Sequence, residues 1–193
     1  MHMERKKYVN KDKEILDLLR QKPEEGFRLL FDVYHMQLCV YVVQLTDSFS
    51  LAEDIVQDFF ITFFEKKYYL HINENLRVYL YTSIRHATLA ALKKKKMLSM
   101  EEITNIPIET PFEMNLKQEE LEKREAELME KLQTLPKQEL AAIRLVILEN
   151  KKYVEAAEEL HISVNTLKTY LSRALKRLRK EYNLSFLFYF HIY

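Results

Sequence analysis

The chain has 193 residues, with 30 Lys and Arg against 29 Asp and Glu, a formal net charge of +1, one Gly, four Pro and one Cys. Gly26 alone cannot write a Walker phosphate loop, a GxGxxG dinucleotide fingerprint or a GxSxG nucleophile elbow. One Cys excludes a disulfide framework and a thiolate zinc site and fits a reducing cytoplasm, while few Gly and Pro with 31% charged residues favour helices. The expected fold class is all-α.

In chain order, residues 10–22 read as a short helix with Ile15, Leu16, Leu18 and Leu19 inward. Pro23 suits the first position of a second helix, running to about Leu45. A third covers 51–67, with Ser50 as expected N-cap, Glu53 completing a capping box, and Ile55, Phe59 and Phe63 as its apolar stripe. After a loop over 68–75, a fourth helix spans 76–96. Periodicity fades over 97–112, where Pro107 and Pro111 discourage helix. A charged helix over about 113–132 follows, then segments over 137–148, 154–160 and 164–182. No run approaches the roughly 18–20 apolar residues that cross a bilayer, and no signal-peptide core is visible, so a soluble cytoplasmic chain without membrane insertion is expected.

The near-zero net charge hides a strong pattern. Between Leu76 and Met100 there is no acid, against Arg77, Arg85 and four consecutive lysines from Lys93. Residues 101–130 then hold ten Glu against Lys117, Lys123 and Arg124. Over 163–182, Lys168, Arg173, Lys176, Arg177, Arg179 and Lys180 face only Glu181. Two basic helices therefore flank an acidic connector. The last follows a short helix (Val154, Ala156, Ala157, Leu160) and a tight turn at His161–Ile162, with Ser163 as its N-cap. Leu167, Leu171 and Leu178 point to a core, and Asn165, Thr166, Lys168, Thr169, Ser172, Arg173 and Lys176 form the opposite face. This is the pattern of a helix–turn–helix DNA reader, with side chains of major-groove length.

SVNTLKTYLSRALKRLRK, from Ser163, resembles the −35-reading region of extracytoplasmic-function (ECF) sigma factors of bacterial RNA polymerase, within the sigma-70-like family. His161 and Asn150 stand where that family usually or often has Gly, so a left-handed backbone with some strain is expected at His161. LAEDIVQDFFITFFEKK, from Leu51, is similar to the family's polymerase-docking region. That likeness implies contact of Asp54, Gln57, Asp58, Ile61 and Glu65 with the clamp helices of the largest polymerase subunit. NLRVYLYTSIRHATLAALKKKK, from Asn75, resembles the promoter-melting region. It implies −10 contacts from Tyr69, His71, Asn73, Asn75, Arg77, Tyr81, Arg85 and His86, with Tyr81 as a stacking surface between the two arginines. His86 and Ala90 depart from the polar residues the family often carries.

The resemblance covers about residues 25–182. It implies a sigma factor that binds core RNA polymerase and promoter DNA, is not an enzyme, and takes no cofactor. The expected organisation is a region 2 domain over 1–96, an acidic linker over 97–125, a region 4 helix–turn–helix domain over 126–183 and a hydrophobic tail over 184–193. The tail packs on its own domain, binds an anti-sigma factor or frays. The linker is expected to shield the basic helices in the free chain, and the resemblance implies that it imitates RNA in the polymerase channel. The rival reading is a helix–turn–helix regulator that binds DNA without polymerase. The six His show no ligand spacing, so no metal is expected, and Cys39 reads as an inert core residue.

Overall fold

The structure, a computed structural model, describes residues 2–46, 48–73, 75–94 and 118–181. The 97–112 linker, most of the acidic run and the 184–193 tail lie outside the described residues. Among those described there is no strand. Helices α1 (His2–Gln21), α2 (Pro23–Thr46), α3 (Phe49–Glu65) and α4 (Leu76–Lys94) form the first group. A single turn of 3-10 helix, Tyr68–His71, joins α3 to the loop before α4. The second group holds α5 (Gln118–Gln133), α6 (Lys137–Ile143), α7 (Tyr153–Glu159) and α8 (Val164–Glu181). A π turn, Arg144–Leu148, continues α6.

Helix α2 is the centre of the first group, touching α1, α3 and α4. Leu30, Tyr34, Leu38, Val42 and their neighbours are buried in it. By length and composition α2 is apolar enough to cross a bilayer, which corrects the sequence expectation that no segment reaches that size. Its apolar side chains are instead the core that the other helices cover, a role that meets the same length and composition test.

The glycine exclusion has a structural counterpart. A Cβ on Gly26 would lie 2.3 Å from the Leu19 nitrogen and 2.6 Å from its Cα. The backbones of α1 and α2 meet there, so only Gly fits. At the start of α3, Ser48 rather than Ser50 is the N-cap, its Oγ accepting the Leu51 N–H at 3.3 Å. The capping box expected from Ser50 and Glu53 does not form, because the helix begins at Phe49 and Glu53 lies buried within it. Ile55, Val56, Phe59, Phe60 and Phe63 are buried as their spacing predicts.

Candidate nucleic-acid interface

Helix α8 starts where the turn residues dictate. The chain leaves α7 with His161 at φ 53°, the left-handed conformation expected there, and Asn150 adopts φ 51° before α7. Both occupy the two positions singled out for missing glycines. Ser163 then accepts the Thr166 N–H at 3.0 Å, capping α8 as expected. Leu167, Leu171, Ala174, Leu175 and Leu178 are buried, while Asn165, Thr169, Arg173 and Lys176 are exposed. Thr166 and Ser172 are half-buried at the edge of that face. Within this group, Arg177 reaches the buried Glu139 of α6 at 3.0 Å and fixes the back of α8.

Lys168 is placed differently. Its Nζ lies 2.9 Å from Oε1 of Glu53 and donates to Oε2 at 3.1 Å, so it turns away from the open face and toward α3. The same ammonium sits 5.0 Å from the Tyr153 ring centroid, within cation–π range. Further along α8, Arg179 donates to the Val43 carbonyl of α2 at 3.3 Å. The two helical groups therefore meet across α8. A cleft of about 450 Å³ opens beside the contact, lined by Phe31, His35, Gln57, Lys151 and Tyr153 among others. Burial, and then the Lys168 charge, hold the His35 pKa down at about 4. Burial, followed by the neighbouring Cys39 and Glu53, raises the Tyr153 hydroxyl far above its usual range. Cys39 is fully buried, its Sγ 3.8 Å from His35 Nε2, and burial raises its thiol pKa well above normal.

The −10 candidates divide. His71, Asn73, Asn75 and His86 are exposed, Asn75 at φ 59°, and Arg85 is half-buried. Tyr69 and Tyr81 are buried, which corrects the expectation that both reach the −10 strand and that Tyr81 offers a stacking surface. Tyr81 meets Tyr41 edge to face with centroids 5.1 Å apart, and Tyr69 packs on Phe63 and Phe64. Thr88, one turn beyond Ile84 on the same helix, is buried and donates to the Ile84 carbonyl. Arg77 is also corrected: its guanidinium donates to Tyr34 Oη at 3.2 Å and lies 3.8 Å from Asp12. Tyr34 in turn hydrogen-bonds Asp12. Burial outweighs these partners for Asp12 and raises its pKa, whereas for Arg77 the facing Tyr34 and Asp12 more than offset burial. A second cation, Arg20, donates to the Ile72 carbonyl at 2.5 Å and ties α1 to the loop that carries Asn73 and Asn75.

On α3 the five docking candidates stay together. Asp54, Gln57, Asp58, Ile61 and Glu65 are all exposed, and Ile61 keeps 53% of its surface open. Their spacing of three and four places them along one side of the helix, acids and an amide around a bare apolar residue. Among the described residues, no group of three or more His, Cys, Asp or Glu is placed to hold a metal ion. Glu53, His35 and Tyr153 were missed as participants. Glu53 and Lys168 are 115 positions apart, and no local spacing announces their meeting.

Residues 125–178 match the family model for sigma-70, region 4, which spans the helix–turn–helix just described. Along 170 residues the chain is 24% identical to the ECF RNA polymerase sigma factor SigX of Bacillus subtilis (strain 168), covering 83% of this chain and 86% of that one. Both likenesses are to sigma factors: one to region 4 of the sigma-70 family, over 125–178, the other to an ECF member along most of the chain. Among solved structures it is similar to the sigma factor RpoE in complex with the anti-sigma factor NepR from Bartonella quintana. That match has 21% identity, 81% coverage of this chain, 96% of that one, and a TM-score of 0.34, below the level of a shared arrangement of elements. The region 4 match begins within α5 and ends within α8, so it takes in the helix–turn–helix.

Proposed function

We propose that this chain is a sigma factor that binds core RNA polymerase through the exposed side of α3 and delivers it to a promoter read by α8. The observation that carries the DNA half is the division of α8. One side is wholly apolar and buried, while Asn165, Thr169, Arg173 and Lys176 stand open with no acid between Ser163 and Lys180. An α-helix with side chains is about 10–12 Å across, which suits a major groove about 12 Å wide. Good bidentate contacts there contribute about 1–3 kcal/mol each to base discrimination.

Core polymerase is engaged by Asp54, Gln57, Asp58, Ile61 and Glu65, through its largest-subunit clamp helices. The −10 strand is met by His71, Asn73, Asn75, Arg85 and His86, with Arg20 holding the loop from behind. Residues 1–96 act as the polymerase and −10 domain, and 126–183 as the −35 domain. The connector over 97–125 lets the two domains reach separate elements, and the protein works in the cytoplasm without membrane insertion.

The test is run-off transcription with core polymerase on a randomised promoter library. Specific initiation enriched for one −35 and one −10 sequence is the expected result. Absence of specific initiation by a folded chain that still binds duplex DNA refutes the reading.

A further inference from the structure

We infer that Arg20, on α1, is a positioning residue for base selection by the loop between α3 and α4, one that sets the choice without touching a base. The inference rests on the reading of His71, Asn73 and Asn75 as −10 contacts.

The loop leaves α3 through Lys67 at φ 51° and enters α4 from Asn75 at φ 59°, so both ends are left-handed and neither residue is Gly. Such a backbone persists only where its surroundings hold it. Two side chains peg the loop inward: Tyr69, against Phe63 and Phe64 of α3, and Ile72, with 5% of its surface open. The main chain supports itself only as far as Ile72, whose N–H bonds the Tyr69 carbonyl at 3.4 Å. From there to Asn75, which accepts the Tyr79 N–H, the described residues make no further hydrogen bond between main-chain groups.

Arg20 enters at that gap. Its Nη2 donates to the Ile72 carbonyl at 2.5 Å, from a helix 52 positions away in the chain. The Ile72 carbonyl lies in the same planar peptide unit as the N–H and Cα of Asn73. Holding the oxygen therefore sets the plane from which Asn73 departs. Ile72 is extended, at φ −93° and ψ 111°, so neighbouring side chains alternate: Ile72 is buried and Asn73 exposed. An amide discriminates between bases by the direction of its donor and acceptor, so its aim matters as much as its presence. Loop residues keep such an aim only when a supporting shell of hydrogen bonds locks them to rigid elements.

Helix α1 supplies that support at both sides of the loop. Two turns before Arg20, Asp12 faces Arg77 in the first turn of α4. Asp12 and Arg77 are largely covered and serve the core, whereas Arg20 is exposed and makes its contact from the surface. Removing Arg20 thus frees the Ile72–Asn73 peptide without leaving a buried charge uncompensated.

The test uses the full chain assembled with core polymerase, in run-off transcription from a library randomised over the −10 element behind one fixed −35 sequence. Arg20→Ala is expected to cut the preference for the best base over the next by about ten-fold at the positions the loop meets, because the competent loop conformation becomes one of several. The −35 preference, from a second library, and the urea midpoint are expected to stay unchanged. Arg20→Lys, which keeps a donor, is expected to restore the −10 preference. A −10 preference that survives Arg20→Ala intact overturns the inference. So does a uniform fall in initiation across all sequences with a weaker salt dependence, the mark of an arginine that binds phosphate directly. A uniform fall with a lowered urea midpoint overturns it as well, by assigning Arg20 to stability alone. If the wild-type chain initiates behind the fixed −35 sequence with no −10 preference, the reading of the loop falls and takes the inference with it.

Discussion

Arg77 and Asp12 face each other across the Tyr34 hydroxyl, 3.8 Å apart at their nearest charged atoms, and so join α4 to α1 through α2. Both side chains are largely covered, at 14% and 17% exposure. Removing one partner of such a pair leaves the other charge uncompensated, a loss of about 3–5 kcal/mol when burial is complete and less here. Arg77→Ala is therefore expected to lower urea stability by about 2–3 kcal/mol. An exposed phosphate-binding arginine would instead leave stability unchanged and reduce only DNA affinity. Equilibrium unfolding of Arg77→Ala and Asp12→Asn measures which holds.

Gly26 gives a sharper expectation. A methyl group there overlaps the Leu19 backbone, which cannot rotate away as a side chain would. Gly26→Ala ordinarily favours a helix interior by about 1 kcal/mol. Here it is expected to destabilise the chain by about 2–3 kcal/mol through overpacking. Thermal and urea unfolding of the variant determine the sign.

The two missing glycines run the other way. His161 at φ 53° and Asn150 at φ 51° hold a left-handed backbone that costs most side chains about 1–2 kcal/mol. His161→Gly is expected to stabilise by about 0.5–1 kcal/mol, the relief being partly offset by the greater freedom of Gly in the unfolded chain. Asn150→Gly is expected to gain less, because Asn tolerates this conformation better. Urea midpoints of the two variants, compared in one experiment, give the order.

A pH expectation follows from His35, stacked on Phe31 with centroids 4.3 Å apart. Its pKa falls from 6.5 to about 4, through burial first and Lys168 second. A base with a depressed folded pKa favours the fold in its neutral form. That contribution is complete above pH 6.5 and is lost as pH falls from there toward 4. At roughly 1.4 kcal/mol per unit, the loss amounts to about 3 kcal/mol. His35→Phe, which keeps the ring, is expected to flatten the stability profile between pH 6.5 and 4, as pH-dependent urea unfolding will show.

What was legible in the sequence was what one helix decides for itself. Ile55, Phe59 and Phe63 are buried because their period matches a single face, and Ser163 caps α8 because its neighbours in sequence supply the donor. The left-handed turn at His161 was legible for the same reason, as a local position within a motif, while Asn150 stood out only as a residue in place of Gly. Tyr69 was misplaced because its turn folds back on Phe63 and Phe64 of α3, Tyr81 because Tyr41 of α2 covers it, and Arg77 because α4 is covered on more than one side. Periodicity marks the apolar side facing α2 and α3, but not the second contact made by α1, whose Asp12 lies far away in sequence. Ser48 and Ser50 offered equal local chemistry, and packing of Phe49 into the core settled the choice. Lys168 reads as a surface cation until α3 is brought against it.

Cys39 carries one more consequence. It is the chain's sole cysteine, and it is buried beside His35 on the side of α2 that looks toward Tyr153 and Glu53. With its thiol pKa raised and no solvent access, it resists alkylation while the two groups of helices are together. Its rate of modification therefore reports how often the packing around it opens. Mass spectrometry of the unlabelled wild-type chain, timed against a thiol reagent with and without core polymerase, reads that rate without altering a residue.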